Sequence, residues 1–411
     1  MKKKVKFPLW AQIITALVLG TIYGLVLPGK VSYVDWMGDL FMRALKMIIV
    51  PLILTSIVSG VANMGTADNL GRLGLRTFIY YILSSLAAIL TGLFFVNLIK
   101  PGVGADLGLT QHVDNLPAAN ASLRDMILRI VPTNIFDAFA RGDMLQIIFF
   151  AILFGFFISK INDKYRVLLT DVFNGAFEAV MKLTNFIILF APFGIFGLIA
   201  RIVAQQNNFG SLVSSLGLYM LTVILGLSFH AFITLPLVQR FIAKVNPWKF
   251  FRAMSDALLT AFSTSSSGAT LPLTMDRIQN KVGVSNKVSS FTLPLGATVN
   301  MDGTALYELV AAMFIAQAYG IEMSFTQQFV AVFTALLASI GAAGIPMAGL
   351  IMITIILSAL GLPLEGIGLI LAVDRILDMF RTSVNVWSDS TAAVTIARLE
   401  GEKFKIDNDE N

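Results

Sequence analysis

Cysteine is absent from the 411-residue sequence, which excludes a disulfide scaffold, thiolate-bound metals and thiol chemistry. Histidine is nearly absent: His112 and His230 are the only two, too few for a histidine-built metal site. Charge is scarce as well. Asp, Glu, Lys and Arg make up 13% of the chain, against about a quarter in soluble domains. So few charges cannot cover a water-soluble molecule of this size, and the same shortage rules out disorder and coiled coil. The chain has long hydrophobic runs instead, with 56% hydrophobic residues and a mean hydropathy of +0.78. The class is an all-α, polytopic membrane protein.

The net charge of +5 does not point to a nucleic-acid partner, because the basic residues fall in short clusters between apolar segments. At about 1.5 Å per residue, about 20 residues cross the hydrocarbon of a lipid bilayer. Continuous candidates are 8–27, 40–64, 76–98, 143–159, 173–203 and 210–238, with 100–133 as an external loop. The first follows Met1-Lys2-Lys3-Lys4 without a small-residue cleavage site, so it is expected to be a retained helix rather than a signal peptide. With the N-terminus inside, the cytoplasmic segments hold 19 of the 30 Lys and Arg, and the external segments hold 4. That asymmetry predicts both termini in the cytoplasm of a cell bounded by an inner (plasma) membrane. Trp10, Trp36 and Trp248 lie near span ends as interfacial anchors do, whereas Trp387 does not.

This orientation closes only if two later apolar stretches enter and leave on the same side. One covers 250–276 around Ser263-Thr264-Ser265-Ser266-Ser267-Gly268, and the other covers 330–362 around Gly341-Ala342-Ala343-Gly344-Ile345-Pro346. Irregular backbone at membrane depth persists only where protein or a polar cavity surrounds it. Two re-entrant helical hairpins are therefore expected beside a functional site. Ser266 precedes Asn300 by 34 residues, and Gly344 precedes Asp378 by 34. Two hairpin-plus-broken-helix units of opposite orientation make an inverted repeat, the layout of secondary transporters with sites near the midplane.

The last apolar stretch carries Asp374, Asp378, Arg381, Asn385 and Asp389. At about 100° per residue these fall within one arc of about 80° on a helix. Facing lipid, each charge would cost about 2.5–3.5 kcal/mol on the lenient insertion scale, so this face must look into protein or an aqueous path. Asp378 with Arg381, and Asp374 with Arg375, could neutralise one another as a ladder. Asp389 has no basic residue within a turn, and its natural partner is an added cation. In the preceding span, Pro294, Gly296 and Gly303 flank Thr298-Val299-Asn300-Met301-Asp302, which predicts an unwound centre with free carbonyls. Asn300, Thr304 and Glu308 recur every four residues, so Glu308 is expected to face the same interior.

Ser265-Ser266-Ser267-Gly268, Asn300-Met301-Asp302-Gly303-Thr304, Gly344-Ile345-Pro346 and Asp378-Met379-Phe380-Arg381-Thr382-Ser383-Val384-Asn385-Val386 together resemble the dicarboxylate/amino acid:cation symporter family of glutamate and aspartate transporters. The resemblance covers nearly the whole chain. It implies eight transmembrane helices and two re-entrant hairpins assembled as a homotrimer in the lipid bilayer. Residues 1–245 would supply helices 1–6, with helices 1, 2, 4 and 5 as a scaffold and 3 and 6 in a mobile transport domain. Residues 246–398 would form the transport core that moves as an elevator, and 399–411 a charged cytoplasmic tail.

The implied substrate is an acidic amino acid. Arg381 would bind its side-chain carboxylate and Asp378 its ammonium. Asn385 and the Ser266 backbone would bind the α-carboxylate, Thr304 and Thr382 would line the pocket, and the tip from Ile345 to Gly349 would close it. No prosthetic cofactor is implied. The co-transported ions would be Na+ and/or H+, at three sodium positions. One uses carbonyls of Gly296, Asn300 and Asn385 with the Asp389 carboxylate. A second uses carbonyls of Thr298, Ser339, Ile340 and Ala342. The third joins Asp302 and Asn300 to Tyr81, Ser84 and Ser85. Glu308 stands where proton-carrying members have glutamate. Three departures from the family pattern stand out: Thr264 before the serine run, Met379 after the aspartate with Arg375 one turn earlier, and Trp387-Ser388 where a glycine usually precedes the last aspartate.

Other functions fit less well. A neutral amino acid carrier should lack Arg381, and a plain C4-dicarboxylate carrier should lack Asp378. An intramembrane serine hydrolase at Ser266 needs a base, and His230 lies in a separate span. A dedicated channel needs no set of opposite charges shaped to a zwitterion.

Overall fold

The computed structural model describes residues 9–64, 71–105, 128, 130–204, 209–340 and 348–408, and these contain helices and no strand. Helix α1 (Leu9–Val26) is followed by α2 (Asp35–Met64) and α3 (Gly71–Ile99), of 30 and 29 residues. Two shorter helices, α4 (Ile135–Arg141) and α5 (Met144–Ile158), lead to α6 (Asp163–Ile188) and α7 (Ala191–Ala204). The sequence pattern predicts one tilted span over 173–203. The chain instead bends by 52° between α6 and α7. Pro192 explains the break, since it has no N–H to give and its ring crowds the preceding turn.

Helix α8 (Phe209–Phe229) continues through a π turn (His230–Thr234) into α9 (Leu235–Phe241). Leu235 N reaches five residues back to His230 O. The widened turn sits just before Pro236, where the regular ladder loses a donor. Three stretches among the described residues, Asp35–Ala62, Arg72–Ile99 and Val213–Phe241, are long and apolar enough to cross a bilayer, and the bent α6–α7 pair would be a fourth.

Each of the two stretches expected to be a hairpin holds a pair of helices. The first joins α10 (Pro247–Thr264) to α11 (Ser267–Asp276). Its turn is two residues: Ser265 takes a left-handed φ of 51°, and extended Ser266 caps α11 by accepting from Ala269 N at 3.2 Å. At the other end, Asn246 caps α10 and Pro247 opens it. Helix α12 (Asn286–Val299) stops at Asn300, and α13 (Asp302–Ala318) begins two residues later, so the predicted unwound centre is Asn300-Met301. The second hairpin joins α14 (Phe325–Ile340) to α15 (Ala348–Leu360), and its Gly344-Ile345-Pro346 tip lies outside the described residues. Helix α16 (Ile367–Leu399) then runs unbroken for 33 residues, and a last short turn, α17 (Lys405–Asn408), follows. The second repeat unit therefore lacks the broken helix expected of it. No proline or glycine interrupts 369–399, so nothing removes a helix hydrogen bond there.

Helices α1, α2, α5, α6 and α7 pack mainly on one another, and α3, α8 and α10–α16 gather round α13 and α16. Every residue from Met301 to Ala316 is buried, which makes α13 the centre of the second group. In the first group, small residues allow close helix approach. A side chain on Gly197 would meet Val34 O at 2.5 Å and Gly38 N at 2.9 Å, whereas one on Gly217 would meet nothing within 4 Å. We expect Gly197→Val to destabilise the detergent-solubilised protein by about 1–3 kcal/mol through overpacking, seen as a lower thermal midpoint. Gly217→Ala should leave the midpoint unchanged or slightly raised.

Candidate functional site

The polar face of α16 meets α13 and the start of α15. Arg381 is 1% exposed. Its Nε and Nη2 donate to Asp378 Oδ1 at 3.0 and 2.8 Å, and Nη2 lies 3.1 Å from Asp374 Oδ1. Tyr307 of α13 completes the group: its hydroxyl donates to Asp374 Oδ1 at 2.6 Å, and its ring lies 4.1 Å beneath the guanidinium. Arg375 reaches Asp378 Oδ2 at 3.6 Å. The ladder therefore forms with a different register from the sequence expectation. Arg381 bridges both acids, while Arg375 turns to Asp378 rather than Asp374. One turn of helix separates Asp374 from Asp378, and a guanidinium fork spans both where adjacent Arg375 points elsewhere.

Arg381 keeps one nitrogen free. Nη1 finds no acceptor among the described residues, although it is buried. It faces Gly349 in the first turn of α15, where a side chain would collide with the guanidinium. Asp374 Oδ2 and both oxygens of Glu308 are likewise buried without partners. A buried donor or acceptor left unmade costs about 1–3 kcal/mol, which makes these open groups candidates for contact with a ligand or ion.

Asn385 anchors the start of α13. Its Oδ1 accepts from Gly303 N at 2.8 Å and Thr304 N at 3.3 Å, capping the first turn of α13, and its Nδ2 donates to Thr304 Oγ1 at 3.0 Å. Thr382 is buried beside it on α16, and Glu308 is buried one turn beyond Thr304 on α13. Ser266 lies at the hairpin turn, its hydroxyl oxygen capping α11.

Two further carboxylates sit deeper. Asp389 accepts from Asn300 Nδ2 at 3.0 Å and has no ion-pair partner among the described residues. Asn300 Oδ1 is buried without a donor. The place a Gly296 side chain would take is closed by the Asp389 carboxylate and by the Tyr81 hydroxyl at 2.9 Å. Tyr81 donates to Thr292 O at 2.6 Å. A buried carboxylate and carbonyl oxygen with spare lone pairs suit a hard cation. Asp302 is surrounded differently. It accepts from Ser85 at 2.7 Å, Ser388 at 2.6 Å, His230 Nε2 at 3.0 Å, and Ser84.

The structure thus brings Tyr81, Ser84, Ser85, Gly296, Asn300, Asp302 and Asp389 together, and Asp378, Arg381 and Gly349 together. Of the second implied cation position, Thr298 Oγ1 donates to Leu295 O and buried Ser339 donates to Leu336 O, on neighbouring helices α12 and α14. Ile340 ends α14, and Ala342 and Ile345 lie outside the described residues. Sequence reasoning gave His230, Ser388 and Tyr307 no role, and it left Asp374 to Arg375. His230 is fully buried on the π turn, so it is no free base for Ser266. Its being the one histidine within an apolar run was the only available signal.

Residues 9–399 match the family model described as the sodium:dicarboxylate symporter family. The chain is 36% identical to the proton/sodium-glutamate symport protein of Bacillus subtilis (strain 168), over 97% of this chain and 94% of that one. It is also 36% identical to the proton/glutamate-aspartate symporter of Escherichia coli (strain K12), with the same coverage. Similarity extends to excitatory amino acid transporter 3 of Mus musculus, at 36% over 95% of this chain and 85% of that one. With the family model spanning nearly every helix just described, including the hairpins and the charged row of α16, the chain belongs to the sodium:dicarboxylate symporter family.

Proposed function

We propose that the protein is a secondary active symporter that takes up acidic amino acids, L-glutamate or L-aspartate, with Na+ and/or H+. The observation that carries this is Arg381 Nη1, a buried guanidinium nitrogen with no acceptor, held against the backbone of Gly349. A carboxylate entering between α15 and α16 would supply the missing acceptor, and a planar guanidinium binds one in a fixed orientation. Asp378 beside it would take the substrate ammonium, with Thr304, Thr382, Asn385 and the Ser266 backbone around the rest. The relatives named for glutamate and aspartate symport support the same reading.

Cations would be held where oxygen lone pairs converge: at Asp389 with the carbonyls of Gly296, Asn300 and Asn385, and at the carbonyls of Thr298, Ser339, Ile340 and Ala342. Their charge would offset the carboxylates that the substrate brings. Glu308, buried without a partner one turn from Thr304, would carry the proton. The grouping of α1, α2 and α5–α7 against the rest supports a division into a scaffold (helices 1, 2, 4 and 5 of eight) and a transport domain that moves like an elevator. The assembly would be a homotrimer in the inner membrane with both termini cytoplasmic. Residues 246–398 would be the moving core.

A second reading has one observation in its favour. Asp378 already faces two guanidinium groups, those of Arg381 and Arg375, so it is less open to an ammonium than the primary reading requires. A C4-dicarboxylate without an amino group would then be the substrate.

Proteoliposomes decide between them. Labelled L-aspartate or L-glutamate should be taken up under an inward sodium or proton gradient, and succinate should compete weakly. Succinate uptake that exceeds aspartate uptake would favour the second reading. Arg381→Ala should lower acidic substrate affinity by about 100-fold or more, the loss of a charge-assisted pair worth about 3 kcal/mol or more, with the protein still purifying as a folded species. Glu308→Gln should flatten the pH dependence of uptake, and an unchanged pH profile would remove Glu308 as the proton carrier.

A further inference from the structure

We infer that the cation position implied at Asp302 is filled in this protein by the imidazole N–H of His230, so that Asp302 is a structural hub rather than a ligand of a cargo cation. The inference rests on the symport reading above. Asp302 is fully buried. A carboxylate offers about four lone-pair directions, two on each oxygen, and Oδ2 carries more donors than it has lone pairs. His230 Nε2, Ser388 and Ser84 converge on Oδ2, and Ser85 takes Oδ1. A serine hydroxyl that donates still has lone pairs for a cation. An imidazole nitrogen facing a carboxylate bears a hydrogen and has none. A cation at Oδ2 would therefore meet an N–H at the point where it needs an oxygen.

His230 is held in that place by residues that depart from the family pattern. It opens the π turn, and the next residue, Ala231, accepts at its carbonyl from Trp387 Nε1 at 3.0 Å. Trp387 in turn stacks on Phe250 of the first hairpin at 4.9 Å between ring centroids. Ser388, where a glycine is usual, supplies a hydroxyl that donates to Asp302 and accepts from Asn300 Nδ2 at 3.0 Å. Trp387 and Ser388 thus serve one end. The first anchors the backbone that carries His230, and the second closes the remaining gap at Asp302. Asp389 is the reverse case: among the described residues it accepts from Asn300 Nδ2 and has no cationic side chain paired to it.

The experiment uses the full chain. Sodium stabilisation of the purified protein is titrated without substrate, reading the thermal midpoint against NaCl with choline chloride as the control. Asp302→Asn should retain the wild-type half-saturating sodium concentration within about twofold, whereas Asp389→Asn should raise it by about tenfold or more, as loss of an ion-binding group does. An Asp302→Asn protein that folds in choline chloride but shifts its sodium response as far as Asp389→Asn overturns the inference. Should Asp302→Asn fail to fold, the wild-type protein answers alone. In proteoliposomes, the membrane potential of zero net aspartate flux should report at most two sodium ions per aspartate, and a ratio of three overturns the inference. Absence of any acidic amino acid flux would defeat the symport reading and leave the sodium titration still readable.

Discussion

A guanidinium and its two carboxylates inside a bilayer impose more on this fold than any other group of atoms. Taken singly, each buried ion carries a desolvation cost of several kcal/mol, which no lipid-facing helix can meet. Arg381, Asp374 and Asp378 meet it by sharing hydrogen bonds, with Tyr307 adding a donor to the acids and a ring face to the cation. That group can exist only if α16 is enclosed, and α10, α12, α13 and α15 all pack against it. The enclosure leaves Gly349 no room for a side chain, because backbone must approach the guanidinium directly.

The two deeper carboxylates show the same residue type in opposite hydrogen-bonding environments. Asp302 accepts from three hydroxyls and an imidazole, while among the described residues Asp389 has a single amide donor. Those hydrogen bonds at Asp302 link α3, the π turn after α8, α13 and α16. The single donor at Asp389 leaves lone pairs available in a water-poor place, where an ion is worth far more than at the surface. The break at Asn300-Met301 serves both, since it turns Asn300 toward Asp389 and starts α13 with Asp302.

Much of this was legible from residue order. The helix pairs of 247–276 and 325–360 fall on the two long apolar stretches that the distribution of Lys and Arg had singled out. The unwound centre of 286–318 followed from Pro294, Gly296 and Gly303 around Asn300. The inward face of α16 followed from helical periodicity and the cost of exposed charge. The bend at Pro192 and the unbroken α16 were not anticipated. A proline breaks a helix only where no neighbour compensates for the lost hydrogen bond, and polar residues need not break one at all.

The sequence by itself determined that the protein is a helical membrane protein and that one helix turns a row of charges inward, because lipid tolerates neither unpaired backbone nor exposed ions. Tertiary structure alone decided the partners. His230 is 72 residues from Asp302 in the chain and Tyr307 is 67 from Asp374, yet each pair lies within hydrogen-bond distance. No local pattern encodes such pairs. Hydrogen bonds are directional and short, and which donors come within 3 Å of a given carboxylate is fixed by how whole helices pack.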